Sequence, residues 1–341
     1  MANVLDRKIQ SARQIFQPLF STIELTQSCN LKCKHCYNFD RESLPSQKKE
    51  SFPPELVKRT IYELYEIGAL SLAFTGGEPL LYPHLNEVIL FAMKYHFHIR
   101  IKSNATLVSE KRAQELYHLG VKEFDISLYG VNEKQYLDFT GKEGYEKTLR
   151  GIHSLKKAGI VVNLGIILHR QNVEYLDQFI QLAKSLDCPY QISDEITDRY
   201  DKTMASQTLA ITQDQYEKLL DGPYKEYFNH KNPDKALMCG CAKTVIGIGH
   251  QGDVYPCIGS PIPAGNIHSL SLVKIWNDSP VFKRIRDLQD TDFKKCQDCE
   301  LITDCSRSSG SAYINTGEYT GCDPLAKEFA LARFKKRNRS D

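Results

Sequence analysis

A cysteine-rich loop near the amino terminus constrains the chain more than any other feature. Cys29, Cys33 and Cys36 follow a C-x₃-C-x₂-C spacing, so a single loop can present three thiols to one metal centre. An iron–sulfur cubane takes four ligands, normally Cys thiolates, and the next cysteine after the loop is Cys188. The loop therefore predicts an iron–sulfur site with one position left unfilled.

Two other interpretations of these cysteines stay open. His35 lies between two of them and could complete a zinc site, or the three thiols could have no shared role. Zinc loops usually come as two separated pairs of ligands, and the His35 ring would compete for the space that a cluster needs. A short motif also carries a real risk of a chance match.

The composition excludes several classes of protein. With 341 residues and 41% hydrophobic content, the chain can bury a sizeable core. Its 44 basic and 42 acidic residues nearly balance, so no overall field attracts nucleic acid. The amino terminus has no apolar signal segment, and no apolar run reaches the roughly 18 residues of a membrane span, so we expect a cytoplasmic chain. Clustered cysteines in that compartment favour metal binding over disulfides.

Strands and helices are predicted to alternate along the first half of the chain. Residues 20–27 alternate apolar and polar side chains and run directly into the cysteine loop, which indicates a strand that ends at the site. Further strands are predicted at 70–75, 98–103, 123–128, 160–168 and 190–193, with helices at 54–68, 84–95, 109–119, 145–158 and 173–186. This order predicts an α/β fold with a parallel sheet and functional groups at the carboxyl ends of its strands.

Polar residues and glycines follow these strands. A tetrapeptide comes directly after the second strand: Gly76, Gly77, Glu78 and Pro79. Paired glycines let backbone approach a ligand closely, and the Glu78 carboxylate can pair with an ammonium group, although an ordinary strand-to-helix turn is the alternative. Asn104 follows the third strand and Ser127 ends the fourth, where each is either a ligand contact or a turn residue.

The remaining cysteines gather in the last third of the chain: Cys239, Cys241, Cys257, Cys296, Cys299, Cys305 and Cys322. Residues 244–248 and 252–257 predict a hairpin that ends at the third of them. The last four begin with a C-x₂-C-x₅-C spacing and can complete a closed site of four thiolates. Spacing alone does not decide between zinc and iron–sulfur there.

The first cysteine loop with its trailing aromatic residue, together with the Gly-Gly-Glu-Pro segment, resembles the radical S-adenosylmethionine (SAM) superfamily. The resemblance implies a partial (β/α)₆ TIM-like barrel, a [4Fe–4S] cluster on Cys29, Cys33 and Cys36, and SAM bound to the open iron. It also implies that the tetrapeptide holds the methionine amino group of SAM. Asn104 and Ser127 lie where relatives contact the nucleoside or methionine part of SAM.

The later cysteines resemble the SPASM extension of that superfamily, a small cysteine-rich domain that binds auxiliary [4Fe–4S] clusters. Trp276 and Arg286 match the linker of this extension. By this resemblance a closed auxiliary cluster is ligated by Cys296, Cys299, Cys305 and Cys322. A second cluster beside the hairpin takes its ligands from Cys239, Cys241 and Cys257.

One departure from the family pattern concerns the hairpin-side cluster. Relatives have a further cysteine about three residues beyond Cys305, where this chain has Arg307, Ser308, Ser309 and Gly310. Without it the cluster has an open iron. Substrate or water can occupy that iron, a side chain such as Ser309 can substitute, or the cluster can be missing. Because Cys239 and Cys241 are both present, we favour an occupied site.

The resemblance implies an enzyme that reductively cleaves SAM to a 5′-deoxyadenosyl radical and removes hydrogen from a substrate. Relatives with the extension mostly modify ribosomally made peptides or proteins, which favours a peptide maturase that crosslinks, epimerises or oxidises its substrate. The alternative within the superfamily is biosynthesis of a tetrapyrrole or another small-molecule cofactor. A low-potential flavodoxin or ferredoxin is implied as the electron donor.

Two classes without SAM chemistry also stay open. An iron–sulfur electron-transfer protein needs no site for an amino acid, so the segment Gly76–Pro79 counts against it, and the open three-cysteine loop counts against a zinc-stabilised module. Because the barrel begins by residue 20, too early for an N-terminal leader-peptide-binding domain, we expect either the junction loop or a separate protein to recognise a peptide. The predicted division is an N-terminal extension (1–19), the barrel (20–195), a junction with a helix at 212–227 (196–237), the SPASM domain (238–325) and a basic C-terminal helix (326–341).

Overall fold

A computed structural model describes residues 4–37, 51–196, 199–200, 207–232 and 237–339. Within these ranges the strands form one sheet: β1 (Phe20–Glu24), β2 (Ser71–Thr75), β3 (His98–Ser103), β4 (Glu123–Leu128), β5 (Val161–Ile167), β6 (Tyr190–Ser193), β7 (Val245–Ile248), β8 (Asp253–Tyr255) and β9 (Gly265–Asn266). The helices are α1 (Val4–Gln14), α2 (Pro54–Glu66), α3 (Leu85–Met93), α4 (Glu110–His118), α5 (Glu133–Thr140), α6 (Tyr145–Lys157), α7 (Leu176–Ser185), α8 (Gln213–Asp221), α9 (Leu272–Asp278), α10 (Pro280–Asp287), α11 (Lys294–Gln297), α12 (Ser309–Thr316) and α13 (Pro324–Arg339).

The six predicted strands are confirmed as a parallel sheet in chain order from β1 to β6. A buried row crosses the sheet, because Ile23 pairs with Phe74, Phe74 with Ile101, Ile101 with Phe124, and Phe124 with Val162. All of these side chains are buried in one core. This register brings the carboxyl ends of β1, β2, β3 and β4 to the same edge, where the functional groups were expected.

The cysteine-rich segment continues this sheet. Strand β7 pairs in parallel with β1, with Phe20 opposite Val245 and Ile23 opposite Ile248. The predicted hairpin of β7 and β8 is confirmed as an antiparallel pair. Strand β1 therefore lies between β2 and β7, and the hairpin with its cysteines is anchored directly to the strand that leads into the first cysteine loop.

Two helical predictions need correction. The helix predicted at 212–227 ends at Asp221, because Gly222 and Pro223 follow and only a short 3₁₀ turn forms at Lys225–Tyr227. Helix α5 was not predicted, since it spans only Glu133–Thr140. Its termini nevertheless carry ordinary signals: the Asn132 side chain accepts a hydrogen bond from the Gln135 amide, and Gly141 ends the helix in a left-handed conformation.

The C-terminal helix contributes more to the core than its basic sequence predicts. Arg333 on α13 is buried, and its guanidinium donates to the Tyr216 hydroxyl at 3.0 Å and to the Asp304 carbonyl. The helix thus joins α8 to the loop that carries Cys305. The predicted junction at 196–237 lies partly outside the described residues, and the division into domains stays a prediction. No helix in the described ranges combines the length and hydropathy needed to cross a membrane.

Candidate active site and cysteine clusters

The first cysteine loop leaves the carboxyl end of β1 and is held by the end of α5. The Lys32 amide donates to the Thr140 carbonyl at 2.7 Å, and the Lys34 amide donates to the Phe139 carbonyl at 3.0 Å. Within the loop the Cys36 amide donates to the Cys33 carbonyl at 3.1 Å. The helix that the sequence did not predict is therefore the element that fixes the three thiols.

The glycine pair after β2 lets two backbones approach closely. The Gly77 amide donates to the Thr26 carbonyl at 2.6 Å. A Cβ atom on Gly76 would lie 2.3 Å from the Thr26 oxygen, and one on Gly77 would lie 2.1 Å from the Ser28 oxygen. Gly76 also has a φ of +133°, which side chains rarely permit. The glycines are thus required by the segment that enters the cysteine loop.

The Glu78 carboxylate is fully buried and accepts several hydrogen bonds from the protein. It accepts from the Ser103 hydroxyl at 2.8 Å, from the Asn104 amide at 2.9 Å and from the Leu80 amide at 3.1 Å. These contacts join the end of β2 to the end of β3. Pairing of this carboxylate with the ammonium group of SAM stays a prediction.

Asn104 links the end of β3 to the cysteine loop. Its side-chain amide donates to the Asn30 oxygen at 2.9 Å, and its oxygen accepts from the Thr106 amide and hydroxyl at 3.0 and 2.6 Å. The Asn30 amide donates back to the Thr106 hydroxyl at 2.7 Å. Both ends of the Asn104 side chain are engaged within the protein, so its geometry favours the turn role that the sequence also allowed.

Aromatic side chains pack around the first loop. The His35 ring stacks on Phe139 with centroids 4.9 Å apart, and Phe139 stacks on His169 at 4.1 Å. Tyr129, Cys29 and Cys33 pack against one cluster of buried side chains. Burial, followed by the charge of Cys33, raises the pKa of Tyr129, while a hydrogen bond with Ser127 opposes this shift. The stacked position of His35 within this aromatic set counts against a zinc site.

A second group of polar side chains lies between the first loop and the hairpin. Tyr37 donates to the buried Glu24 carboxylate at 2.5 Å, and the Tyr200 ring packs 4.9 Å from the Tyr37 ring. Burial raises the pKa of Tyr200, and the charges of Glu24, Cys257 and Cys36 add to this shift. Sequence reasoning missed Glu24 and Tyr200. The polar residue at the end of a buried strand was the available signal for Glu24.

The four cysteines of the predicted closed site line one cavity: Cys296, Cys299, Cys305 and Cys322. Apolar side chains, among them Leu237 and Ile302, form part of its wall. Burial raises the pKa of the Cys305 thiol to about 11. Four convergent thiols in a largely apolar cavity fit a [4Fe–4S] cluster, whose iron would hold the sulfurs as thiolates.

The hairpin-side cysteines also interact. Hydrogen bonding with Cys239, followed by that with Cys257, raises the pKa of the Cys241 thiol, so the three side chains lie near one another. Arg13 of α1 donates to the carbonyls of Met238 and Cys239, at 2.8 and 3.3 Å. These three thiols remain the predicted ligands of the hairpin-side cluster, one of whose irons has no cysteine ligand.

Arg286, which the sequence matched to the linker, fixes the turn after Cys241. Its guanidinium lies 4.3 Å from the Trp276 ring and donates to the Ala242 carbonyl at 2.8 Å. Asp125, within β4, accepts a hydrogen bond from Arg100 of the neighbouring strand at 2.7 Å, which is a structural role.

Comparisons with known proteins agree with this arrangement. Residues 23–183 match the model of the radical SAM superfamily, and residues 239–300 match that of the SPASM iron–sulfur cluster-binding domain. The chain is 27% identical over 331 residues to an AdoMet-dependent heme synthase of Methanosarcina barkeri, covering 88% of this chain and 94% of that protein. It is also 27% identical over 349 residues to the mycofactocin maturase MftC of Mycobacterium tuberculosis, covering 95% and 88%.

A solved structure has the same fold. The structure of anSMEcpe with bound AdoMet and the Cp18Cys peptide superposes with a TM-score of 0.67, at 18% identity, covering 95% of this chain and 99% of that one. The first cysteine loop lies within the first match, and Cys239, Cys241, Cys257, Cys296 and Cys299 lie within the second. The chain is therefore a radical SAM enzyme with a SPASM domain, and its cofactors are SAM and [4Fe–4S] clusters.

Proposed function

We propose that the chain removes a hydrogen atom from a residue of a peptide or protein substrate, at its side chain or its Cα, and so crosslinks, epimerises or oxidises it. When bound, the [4Fe–4S] cluster and SAM supply the reductive cleavage that yields a 5′-deoxyadenosyl radical. The chain's own residues hold the cysteine loop against β2 and β3 and surround it with aromatic side chains. Residues proposed to contact SAM are Gly76, Gly77, Glu78, Pro79, Asn104 and Ser127.

The position of Tyr200 carries this proposal. Its ring packs on Tyr37, next to Cys36, and its phenol donates to the Ile258 carbonyl, next to Cys257. One side chain thus spans from the first cysteine loop to the hairpin-side thiols. This closeness supports a shared substrate space in which an auxiliary cluster takes part in the reaction. Similarity to the PqqA peptide cyclase of Granulibacter bethesdensis, 24% identical over 332 residues, supports a peptide as the substrate.

Cleavage of SAM is the first test. Anaerobically reconstituted protein, incubated with dithionite and SAM, is expected to release 5′-deoxyadenosine and methionine. Cys33→Ala should abolish both products because the first cluster loses a ligand. Cys188→Ala is the matched control, since Cys188 belongs to none of the three cysteine sets. A colourless protein that holds zinc and releases no 5′-deoxyadenosine would contradict the enzyme assignment.

Isotope transfer tests the substrate class. Peptides encoded by neighbouring genes are prepared with residues deuterated at Cα and along their side chains and incubated with the enzyme. Hydrogen abstraction predicts that deuterium appears in 5′-deoxyadenosine, measured by mass spectrometry. Cys33→Ala with the same peptides provides the background. Release of unlabelled 5′-deoxyadenosine at the same rate with and without these peptides would argue against them as substrates.

Tetrapyrrole chemistry is the second candidate function. It is favoured by the heme synthase relative, which matches this chain across 94% of its own length. A deuterated tetrapyrrole in the same assay distinguishes the two candidates, because only the true substrate class transfers its label to 5′-deoxyadenosine.

The proposed partners follow from the same chemistry. A low-potential flavodoxin or ferredoxin would supply the electron, and the exposed Lys32 and Lys34 offer an anionic carrier a cationic contact on either side of Cys33. A separate protein would present a peptide substrate. Both partners, and a cytoplasmic location, are proposals.

A further inference from the structure

A phenol contacts one of the hairpin-side thiols, in a set that lacks the fourth cysteine of the family pattern. The Tyr319 hydroxyl lies 3.6 Å from the Cys239 sulfur, within hydrogen-bonding distance for sulfur. Cys241, two residues further along the chain, and Cys257 are the other thiols of the same set. Cys239 is exposed and Tyr319 is half-buried over it. Tyr319 therefore belongs to the surroundings of this thiol set.

Arg307 holds Tyr319 in place. Its guanidinium donates to the Tyr319 carbonyl at 2.7 Å and to the Gly321 carbonyl at 2.9 Å. It also donates to the Leu237 carbonyl at 3.4 Å, two residues before Cys239, and it lies 4.8 Å from the Phe293 ring. One side chain thus fixes the segment that carries Tyr319 relative to the segment that carries Cys239.

The serines at the position of the missing cysteine are used otherwise. The Ser308 hydroxyl accepts from the Ser311 amide at the start of α12, and the Ser309 hydroxyl accepts from Arg307 at 2.9 Å. A Cβ atom on Gly310 would lie 1.9 Å from the Gly259 carbonyl oxygen, so the start of this helix is tightly fitted against the loop after the hairpin. Direct contact with a thiol comes instead from Tyr319.

We propose that Tyr319 donates a hydrogen bond to the Cys239 sulfur of a cluster on Cys239, Cys241 and Cys257, and thereby raises the reduction potential of that cluster. This inference rests on the auxiliary cluster of the proposed function. A hydrogen bond to a ligand sulfur stabilises the reduced cluster, which carries more negative charge, more than the oxidised one. Tyr319 also lines a cavity of about 550 Å³ together with Tyr313 and Lys294, so its ring lies between that cavity and the thiol.

The test uses full-length protein in which Cys29, Cys33 and Cys36 are all replaced by Ala, so that only auxiliary clusters contribute. Potentials are measured by redox titration followed by electron paramagnetic resonance, before and after Tyr319→Phe. We expect one auxiliary signal to shift to lower potential, with iron unchanged at about eight per chain, as two [4Fe–4S] clusters require. Tyr313→Phe is the matched control, because it removes a hydroxyl from the same cavity, and it should leave both potentials in place.

A second measurement detects the proton itself. After exchange into D₂O, the protein that keeps Tyr319 should show a deuterium coupling on the same auxiliary signal in pulsed electron paramagnetic resonance spectra. This coupling should be absent in Tyr319→Phe. A purely structural role for Tyr319 would not produce it. Unchanged potentials at full iron content would overturn the proposal. Loss of about four irons in Tyr319→Phe would make Tyr319 a ligand and overturn it also. About four irons per chain before the Tyr319 substitution would mean that one auxiliary cluster is absent. The enzyme assignment would still stand in that case if the unmodified chain cleaves SAM, so the two failures can be told apart.

Discussion

At the scale of single residues, the first cysteine loop depends on two glycines. Gly76 and Gly77 allow the end of β2 to approach the Thr26 and Ser28 carbonyls to distances that a Cβ atom forbids. The loop that follows Ser28 holds the three thiols. A small change at either glycine must therefore displace backbone that the cluster uses.

Gly77→Ala is expected to reduce 5′-deoxyadenosine release at least about tenfold, because displaced backbone raises the activation free energy. A rise of about 1.4 kcal/mol corresponds to a factor of ten in rate. The new methyl group would lie 2.1 Å from the Ser28 oxygen. Gly165→Ala is the matched control in the same sheet, since its Cβ atom would meet only the Ile126 oxygen at 3.8 Å. Release of 5′-deoxyadenosine is measured by chromatography, and equal activity of the two variants would contradict this account.

At the scale of elements, α13 joins the closed cysteine site to α8. Arg333 donates to the Tyr216 hydroxyl, to the Asp304 carbonyl and to the Ser306 hydroxyl. Arg333→Met should lower the free energy of unfolding by about 2 kcal/mol or more, since buried acceptors lose a charged donor. It should also lower iron retention at the closed site, because Cys305 lies between two of those acceptors.

Lys335→Met on the same helix is the control for this prediction. Lys335 is exposed, so its loss should change the free energy of unfolding by less than about 0.5 kcal/mol. Thermal unfolding and iron content after gel filtration measure both effects. If the two variants retain iron and stability equally, α13 packs against the protein without holding the closed cysteine site in place.

At the scale of the whole molecule, the sequence predicts local structural elements but not the contacts between residues that are far apart in the chain. The six strands, the cysteine loop and the hairpin follow from periodicity and spacing within short windows. The pairing of Phe20 with Val245 joins residues far apart in the chain, and no local pattern contains it. The contacts of Tyr319 and Arg307 with the hairpin-side segment are distant in the same way, and α5 was too short to show a helical period.

That distant pairing predicts that barrel and cysteine-rich segment unfold together. Ile246 is fully buried opposite Ser21 of β1, so Ile246→Ala should cost about 2–5 kcal/mol. Far-ultraviolet circular dichroism follows the barrel, and visible absorbance follows the clusters. Because β7 completes the sheet beside β1, both signals should fall together at a lower temperature than in the unmodified protein.

Val161→Ala in β5, where the side chain is half exposed, should leave both transitions within a few degrees of their original temperature. Loss of visible absorbance while the barrel signal keeps its original midpoint would show that the two parts fold independently.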